Sequence, residues 1–307
     1  MKASPASTWK KSFKDNWELY LMLIPVVIYF IVFCYVPMGG ILAAFKDYKP
    51  ASGILGSPFA NPLFKNFTAF FNSYQFQTVI LNTLKVSAAQ LIFSFPFPII
   101  LALLINEVQS KYFKKFVQTI SYAPHFISLV VLVSMMTIFT ADNGVINHLI
   151  KALGMKGTNF MIEPGWFTPL YVISGIWQHC GWNSIVYIAA LTAIDPQLHE
   201  ASIVDGANRL QRIWYINIPC LVPTIMILLI MNFGQLMNIG FEKIYLMQND
   251  STLMVSEIIS TYVYKTGILN GRWSYSTAVG MFNSVVNLVL LLSVNKIAKR
   301  FSSYGLW

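Results

Sequence analysis

The sequence predicts an all-α integral membrane protein with six transmembrane helices, and three observations carry that prediction. Of 307 residues, 56% are hydrophobic and only 11% charged. Soluble domains carry about 25% charged residues, so the apolar surplus here has to face lipid. Removing every Lys, Arg, Asp and Glu leaves six long apolar intervals, 19–45, 86–106, 116–141, 164–194, 213–241 and 273–295. A hydrocarbon core of roughly 30 Å takes about 20 helical residues, which each interval supplies, whereas β-barrel strands need only about 10.

The first 18 residues are too polar, and the run after them too long, for a cleaved signal peptide. Trp9, Phe13 and Trp17 recur at i, i+4 and i+8 with Lys10, Lys11 and Lys14 between them, the pattern of a basic amphipathic helix on the inner leaflet. A loose tail is the alternative. The six-helix domain is expected over 19–295, with spans at about 19–45, 77–105, 116–141, 168–194, 213–241 and 275–295. Residues 296–307 are expected to form a short tail.

Residues 66–84 begin too polar to cross lipid, but Phe67, Phe70, Phe71 and Tyr74 lie at helical spacing, predicting a short interfacial helix before the second span. Lys85 would snorkel from that span to the outer interface. With the N-terminus inside, twelve basic residues flank the inner side and nine the outer, a weak bias towards both termini being cytoplasmic.

The net charge of +9 suits an anionic membrane face. No basic stretch resembles a recognition motif, so nucleic acid is not an expected partner. Cys34, Cys180 and Cys220 form no C-x-x-C pair and indicate neither zinc nor a disulfide framework.

Between the fourth and fifth spans lies the segment 195–219. Asp195 suits a helix N-cap before Pro196, because proline lacks an N–H that the first turn does not need. Leu198, Ala201 and Val204 share one face, and Gly206 can take the positive φ that ends a helix and turns the chain. Such a helix is too short to stand alone and too polar to insert. It reads as a plug for another protein's socket, or else as a capped connector.

This segment resembles the signature loop of the inner-membrane permease subunits of binding-protein-dependent ATP-binding-cassette importers: E-A-A, three residues, G, nine residues, I, one residue, L-P. Glu200, Ala201, Gly206, Ile216 and Pro219 match in register, with Ser202 for the second Ala and Ile218 for Leu. Tyr122-Ala-Pro-His-Phe-Ile-Ser128, Asp205-Gly-Ala207, Gly240-Phe-Glu242 and Thr261-Tyr-Val-Tyr264 sharpen the resemblance towards the carbohydrate-uptake class, especially permeases paired with oligosaccharide-binding lipoproteins.

The resemblance implies a type I importer permease fold in a bacterial cytoplasmic membrane. It also implies a second permease subunit, an ATPase dimer and an extracytoplasmic substrate-binding lipoprotein as partners, with an oligosaccharide as cargo. Glu200, Ala201, Ser202, Asp205, Gly206 and Ala207 would form the coupling element that docks on the ATPase. No segment matches G-x-x-x-x-G-K-[ST], so ATP and Mg are expected on the partner and no cofactor in this chain. The chain is then a transporter subunit, not an enzyme.

Polar groups within spans are costly unless they pair internally or line a wet cavity. Trp177, Gln178, Trp182, Asn183, Asn232, Gln235, Asn238 and Asn283 are therefore candidates for the pathway, amides and tryptophans suiting a neutral saccharide's hydroxyls and C–H faces. Helix–helix packing is the competing reading of each. His125 and His179 read as packed or hydrogen-bonded rather than metal-ligating. Glu242 and Lys243 are expected at the outer interface. A secondary transporter would call for membrane-embedded acids, and the six intervals contain none. The composition would also suit an importer of a non-sugar solute, a membrane enzyme or a membrane scaffold, although no nucleophile–base spacing or metal motif supports the enzyme.

Overall fold

A computed structural model describes residues 15–302, so most of the expected amphipathic segment 1–18 and the end of the C-terminal tail lie outside the described residues. The described chain is helical, with a single isolated bridge between Lys46 and Phe59. It divides into two units, residues 1–71 with 266–281, and residues 72–265 with 282–307.

The first unit opens with α1 (Trp17–Tyr29), which runs on through a π-type turn, a short helix and a 3₁₀ turn to Phe45. None of the residues in its most apolar stretch is buried within the chain. Such a helix owes its stability to what surrounds it, lipid or another subunit. The loop beyond is tied by Lys46, whose Nζ donates to the Ile54 and Leu55 carbonyls. The short helix α2 (Lys65–Phe71) follows as expected.

In the second unit α3 (Phe76–Ser94) continues into α4 (Pro96–Asn106), close to the expected span 77–105. The third expected span, 116–141, is instead broken. α5 (Lys111–Tyr122) stops, a 3₁₀ turn covers Ala123–Phe126, and Ile127 and Ser128 are extended before α6 (Leu129–Thr140) and α7 (Val145–Ala152). Pro124 lacks the N–H a continuing helix needs, and Ser128 starts a new one by accepting from the Val131 N–H. The apolar stretch that can cross is Leu129–Ala152.

Then follow α8 (Phe167–Thr192), α9 (Pro196–Val204), α10 (Ile218–Gly234), α11 (Phe241–Met247) and α12 (Ile259–Tyr264). α13 (Trp273–Ser302) closes the described chain, its opening turns counted with the first unit. The fifth expected span ran to 241, but α10 ends at Gly234, where Gln235 leaves the helical region at φ −111°.

Five stretches are long and apolar enough to cross a bilayer: Trp17–Phe45, Phe76–Asn106, Leu129–Ala152, Arg209–Gly234 and Trp273–Arg300. α8 has 26 residues, the length for a crossing, but Gln178, His179 and Asn183 hold down its apolarity. It is the packing centre of the second unit. Tyr171 and Val172 join Val86, Leu132 and Ile244 in one cluster, and Tyr187, Ile188 and Leu191 join Ala102, Leu103 and Leu221 in another.

Candidate functional site

Two places in the second unit concentrate polar chemistry, and they are built differently. The first is the segment after α8. Asp195 caps α9, its Oδ1 accepting from the Gln197 N–H at 2.9 Å, with Pro196 as the first helical residue. At the other end the Gly206 N–H donates to the Ile203 carbonyl at 3.0 Å and the Ala207 N–H to the Ser202 carbonyl at 2.9 Å. These paired bonds close the helix in a Schellman motif, which requires the left-handed conformation that Gly206 adopts at φ +78°. Asn208 and Gln211 then exchange reciprocal bonds of 2.9 and 2.8 Å, a capping box for the helical turn Arg209–Arg212.

Both ends of α9 are thus capped locally, yet none of its residues is buried. Leu198 is 49% exposed, Ile203 56% and Val204 87%. Glu200, Ala201, Asp205 and Gly206 are exposed, Ser202 and Ala207 half-buried. The Ser202 hydroxyl turns inward to the His199 carbonyl. Beside α9, His199, Ile203, Arg209 and Arg212 share a hollow of about 380 Å³ with Asn106, the last residue of α4, and Glu107, Val108 and Gln109 after it. The six residues assigned to this element from sequence lie together on it.

The second place is a cavity of about 410 Å³ where α3, α4, α8 and α10 meet the irregular segment 235–240. That size falls among small-ligand sites, about 300–1,000 Å³. Asn183, Asn232 and Gln235 line it, as do Ser87, Gln90, Ser94, Tyr171, Tyr187 and Gly240. Behind Gln235 runs a chain of amides: Asn283 Nδ2 donates to Asn238 Oδ1 at 2.7 Å, and Asn238 Nδ2 to Gln235 Oε1 at 3.2 Å. The Met237 N–H, in the same non-helical stretch, donates to Asn287 Oδ1 at 3.0 Å. Irregular backbone among apolar helices needs such partners, because no lipid group replaces them. A Cβ on Gly240 would sit 2.9 Å from the Tyr171 hydroxyl, so any larger residue there would have to displace the Tyr171 ring.

Three of the eight expected pathway residues lie elsewhere. Gln178 is 2% exposed with its Nε2 committed to the Ile127 carbonyl, so it pins the extended break before α6. Trp182 lies against His125, ring planes 3° apart and centroids 4.4 Å apart, while the His125 and His179 Nδ1 atoms meet at 3.2 Å. Trp177 borders a separate apolar hollow with Met135, Met136 and Phe139.

Sequence reasoning missed the α3 wall. Ser87, Gln90, Leu91, Ser94, Phe95 and Pro98 follow helical spacing along one face, and the polar stripe within that face is the signal that could have found it. It also misplaced Lys243. Of the pair expected at the outer interface, Glu242 is exposed whereas Lys243 is buried, its Nζ donating to the Tyr171 carbonyl at 2.9 Å and lying 4.6 Å from that ring's centroid. Burial in this segment, outside the five apolar stretches, pushes the ammonium down to about 8, since desolvation penalises the charged form.

The family model described as binding-protein-dependent transport system inner membrane component matches residues 94–303. The polygalacturonan/rhamnogalacturonan transport system permease protein YteP of Bacillus subtilis (strain 168) is 47% identical over 94% of this chain and 90% of its own length. Protein LplB of the same strain is 44% identical over 99% of this chain and 96% of its own. A chain of a bacterial alginate ABC transporter, solved in complex with an alginate pentasaccharide-bound periplasmic protein, superposes with a TM-score of 0.88 at 42% identity, covering 96% of this chain and 99% of that one. With the motif of 200–219 in register on an exposed capped helix, and likeness of this depth along nearly its whole length, the chain belongs to the binding-protein-dependent transport system inner membrane components.

Proposed function

We propose that this chain is one of two permease subunits of an ATP-driven importer that carries an oligosaccharide across a bacterial cytoplasmic membrane by alternating access. The observation that carries the reading is α9: a helix closed at one end by the Asp195 carboxylate and at the other by its own backbone, with Leu198, Ile203 and Val204 all left exposed in this chain. A rigid knob with an uncovered apolar face suits insertion into a partner's groove. On this reading the groove belongs to a separate ATPase dimer. ATP and Mg act there, and this chain makes and breaks no covalent bond.

α8 then supplies the sixth crossing, both termini are cytoplasmic, and α9 lies on the inner side. An extracytoplasmic binding lipoprotein delivers the cargo from the opposite side. The cavity offers hydroxyls and amides on α3, α8 and α10 with tyrosines between them, a lining suited to sugar hydroxyls and C–H faces. The permease and importer relatives support an oligosaccharide over other solutes.

The test is reconstitution with the second permease, ATPase and binding protein, comparing the native chain with Gly206→Pro and Glu200→Arg. Proline cannot adopt φ +78° and removes the N–H that bonds Ile203, so it destroys the knob's closure. Both variants are expected to lose uptake and binding-protein stimulation of ATP hydrolysis. Native coupling in both would overturn the assignment of 195–207.

A further inference from the structure

One cation is buried beside the cavity without a role in that transport cycle. Among the described residues no carboxylate lies within ion-pair distance of Lys243; the two pairs present are Lys65–Asp47 and Lys265–Glu257. Its neighbour Glu242 points to solvent, since it is exposed while Lys243 is 6% exposed. An ammonium has three protons to donate, and the Tyr171 carbonyl takes one. Burying a cation without an anion is costly, so the arrangement is best compensated when an anion arrives.

The geometry says where that anion would sit. Tyr171, whose carbonyl and ring Lys243 Nζ contacts, and Gly240, three residues before it, both line the cavity. A Cβ built on Gly175 would lie 3.5 Å from Lys243 Nζ and 3.1 Å from Gln90 Nε2, so the ammonium and the Gln90 amide converge on one bare patch of α8, within about 7 Å of each other. Along the α3 wall of the cavity Ser87 Oγ, Gln90 Oε1 and, further along, Ser94 Oγ are buried and lack any partner in the structure, and Ser87 is only 4% exposed. Sugar hydroxyls alone would answer the serines and the glutamine. A uronate answers all of these together: its carboxylate accepts from the serine hydroxyls, its neighbouring hydroxyls donate to Gln90 Oε1, and its charge answers the cation behind them, whose field is weakly screened there.

We propose that Lys243 makes this cavity selective for anionic saccharides, holding a uronate carboxylate at its Ser87–Gln90 end. The proposal rests on the oligosaccharide-importer reading and adds the substrate's charge. Lys243 acts from behind Tyr171 and Gln90 as a specificity-determining residue and does not itself line the cavity. The relatives named for polygalacturonan and for the acidic polysaccharide alginate handle polymers of this charge class.

The experiment uses the full reconstituted complex and two probes, trigalacturonate and its methyl ester. Equilibrium binding is measured without the binding protein, so that selectivity belongs to the membrane subunits, and uptake is measured with it. Lys243→Gln keeps a donor for the Tyr171 carbonyl but removes the charge; Lys243→Arg keeps the charge. Removing one weakly screened charge interaction is expected to lower the acid-to-ester affinity ratio about 10-fold in the Gln variant, with the Arg variant restoring most of it. Assembly and thermal midpoint of each complex show whether a loss reflects misfolding, and the ratio remains readable in either variant that assembles.

An unchanged ratio in Lys243→Gln overturns the proposal. So does a wild-type complex that takes up trigalacturonate but binds acid and ester alike, an outcome that leaves the importer reading intact. A wild-type complex that takes up neither probe, with its binding protein saturated by trigalacturonate, overturns both.

Discussion

The knob at 195–211 and the cavity wall at 235–240 are both short breaks between long helices, yet they are stabilised in opposite ways. In the knob every closing bond joins residues at most five apart, from Asp195 with Gln197 to Asn208 with Gln211, and Leu198, Ile203 and Val204 are left exposed. In the wall the decisive bonds come from far along the chain: Asn287 takes the Met237 N–H across 50 residues, Asn283 reaches Asn238 across 45, and Lys243 reaches Tyr171 across 72. A locally closed piece can move as a rigid body, since its shape costs nothing elsewhere. A wall held from a distance changes shape when the helices behind it shift, which is what the proposed alternating access would need.

That contrast is broken most forcefully at Asn287. Asn287→Ala leaves the Met237 N–H unpaired in a site where Met237 is 1% exposed, at a cost of about 1–3 kcal/mol. The thermal midpoint of the purified complex should fall, and uptake should fall with it. An unaltered midpoint together with native uptake would show that the wall does not depend on α13.

The same contrast decides what sequence could reveal. The knob was legible because Asp195, Pro196, Gly206 and the E-A-x-x-x-x-G spacing set the start and the end of α9, although the Asn208–Gln211 capping box beyond it was not read. The crossings were legible where apolarity alone sets them, as at 76–106, and not where a single residue overrides it, as Pro124 does in breaking the expected 116–141 span. Asn183, Asn232 and Gln235 were found as polar residues within apolar runs. Gln178 carries the same signal but spends its amide on the Ile127 carbonyl, a bond to a residue 51 positions away that no local pattern encodes. Lys243 beside Glu242 reads as an exposed pair until α8 covers one of them.

A milder perturbation sharpens the local half of the comparison. Gly206→Ala meets open space, with nothing within 4 Å of the added Cβ, so its cost is purely the left-handed backbone, about 1–2 kcal/mol. Because no α9 residue is buried, the thermal midpoint of the whole complex should barely move. Amide hydrogen exchange at Gly206 and Ala207 should quicken instead, and coupling efficiency should drop with it. A global loss of stability would mean that the knob is part of the packed body.

The smallest expected effect separates cap from contact at Asp195. Its Oδ1 accepts the Gln197 N–H, and Asn presents an equivalent carbonyl oxygen, so Asp195→Asn should retain the cap, whereas Asp195→Ala removes it for about 1 kcal/mol. The lost charge at the helix N-terminus adds at most a few tenths to about 1 kcal/mol, reduced by salt at this exposed position. Exchange protection of the first turn of α9 should therefore follow native, then Asn, then Ala, and ATPase coupling should follow the same order. If Asn instead proves as damaging to coupling as Ala while its exchange protection stays native, the carboxylate is spent on a neighbouring subunit, and this end of the knob is shaped by its socket as well as by its own backbone.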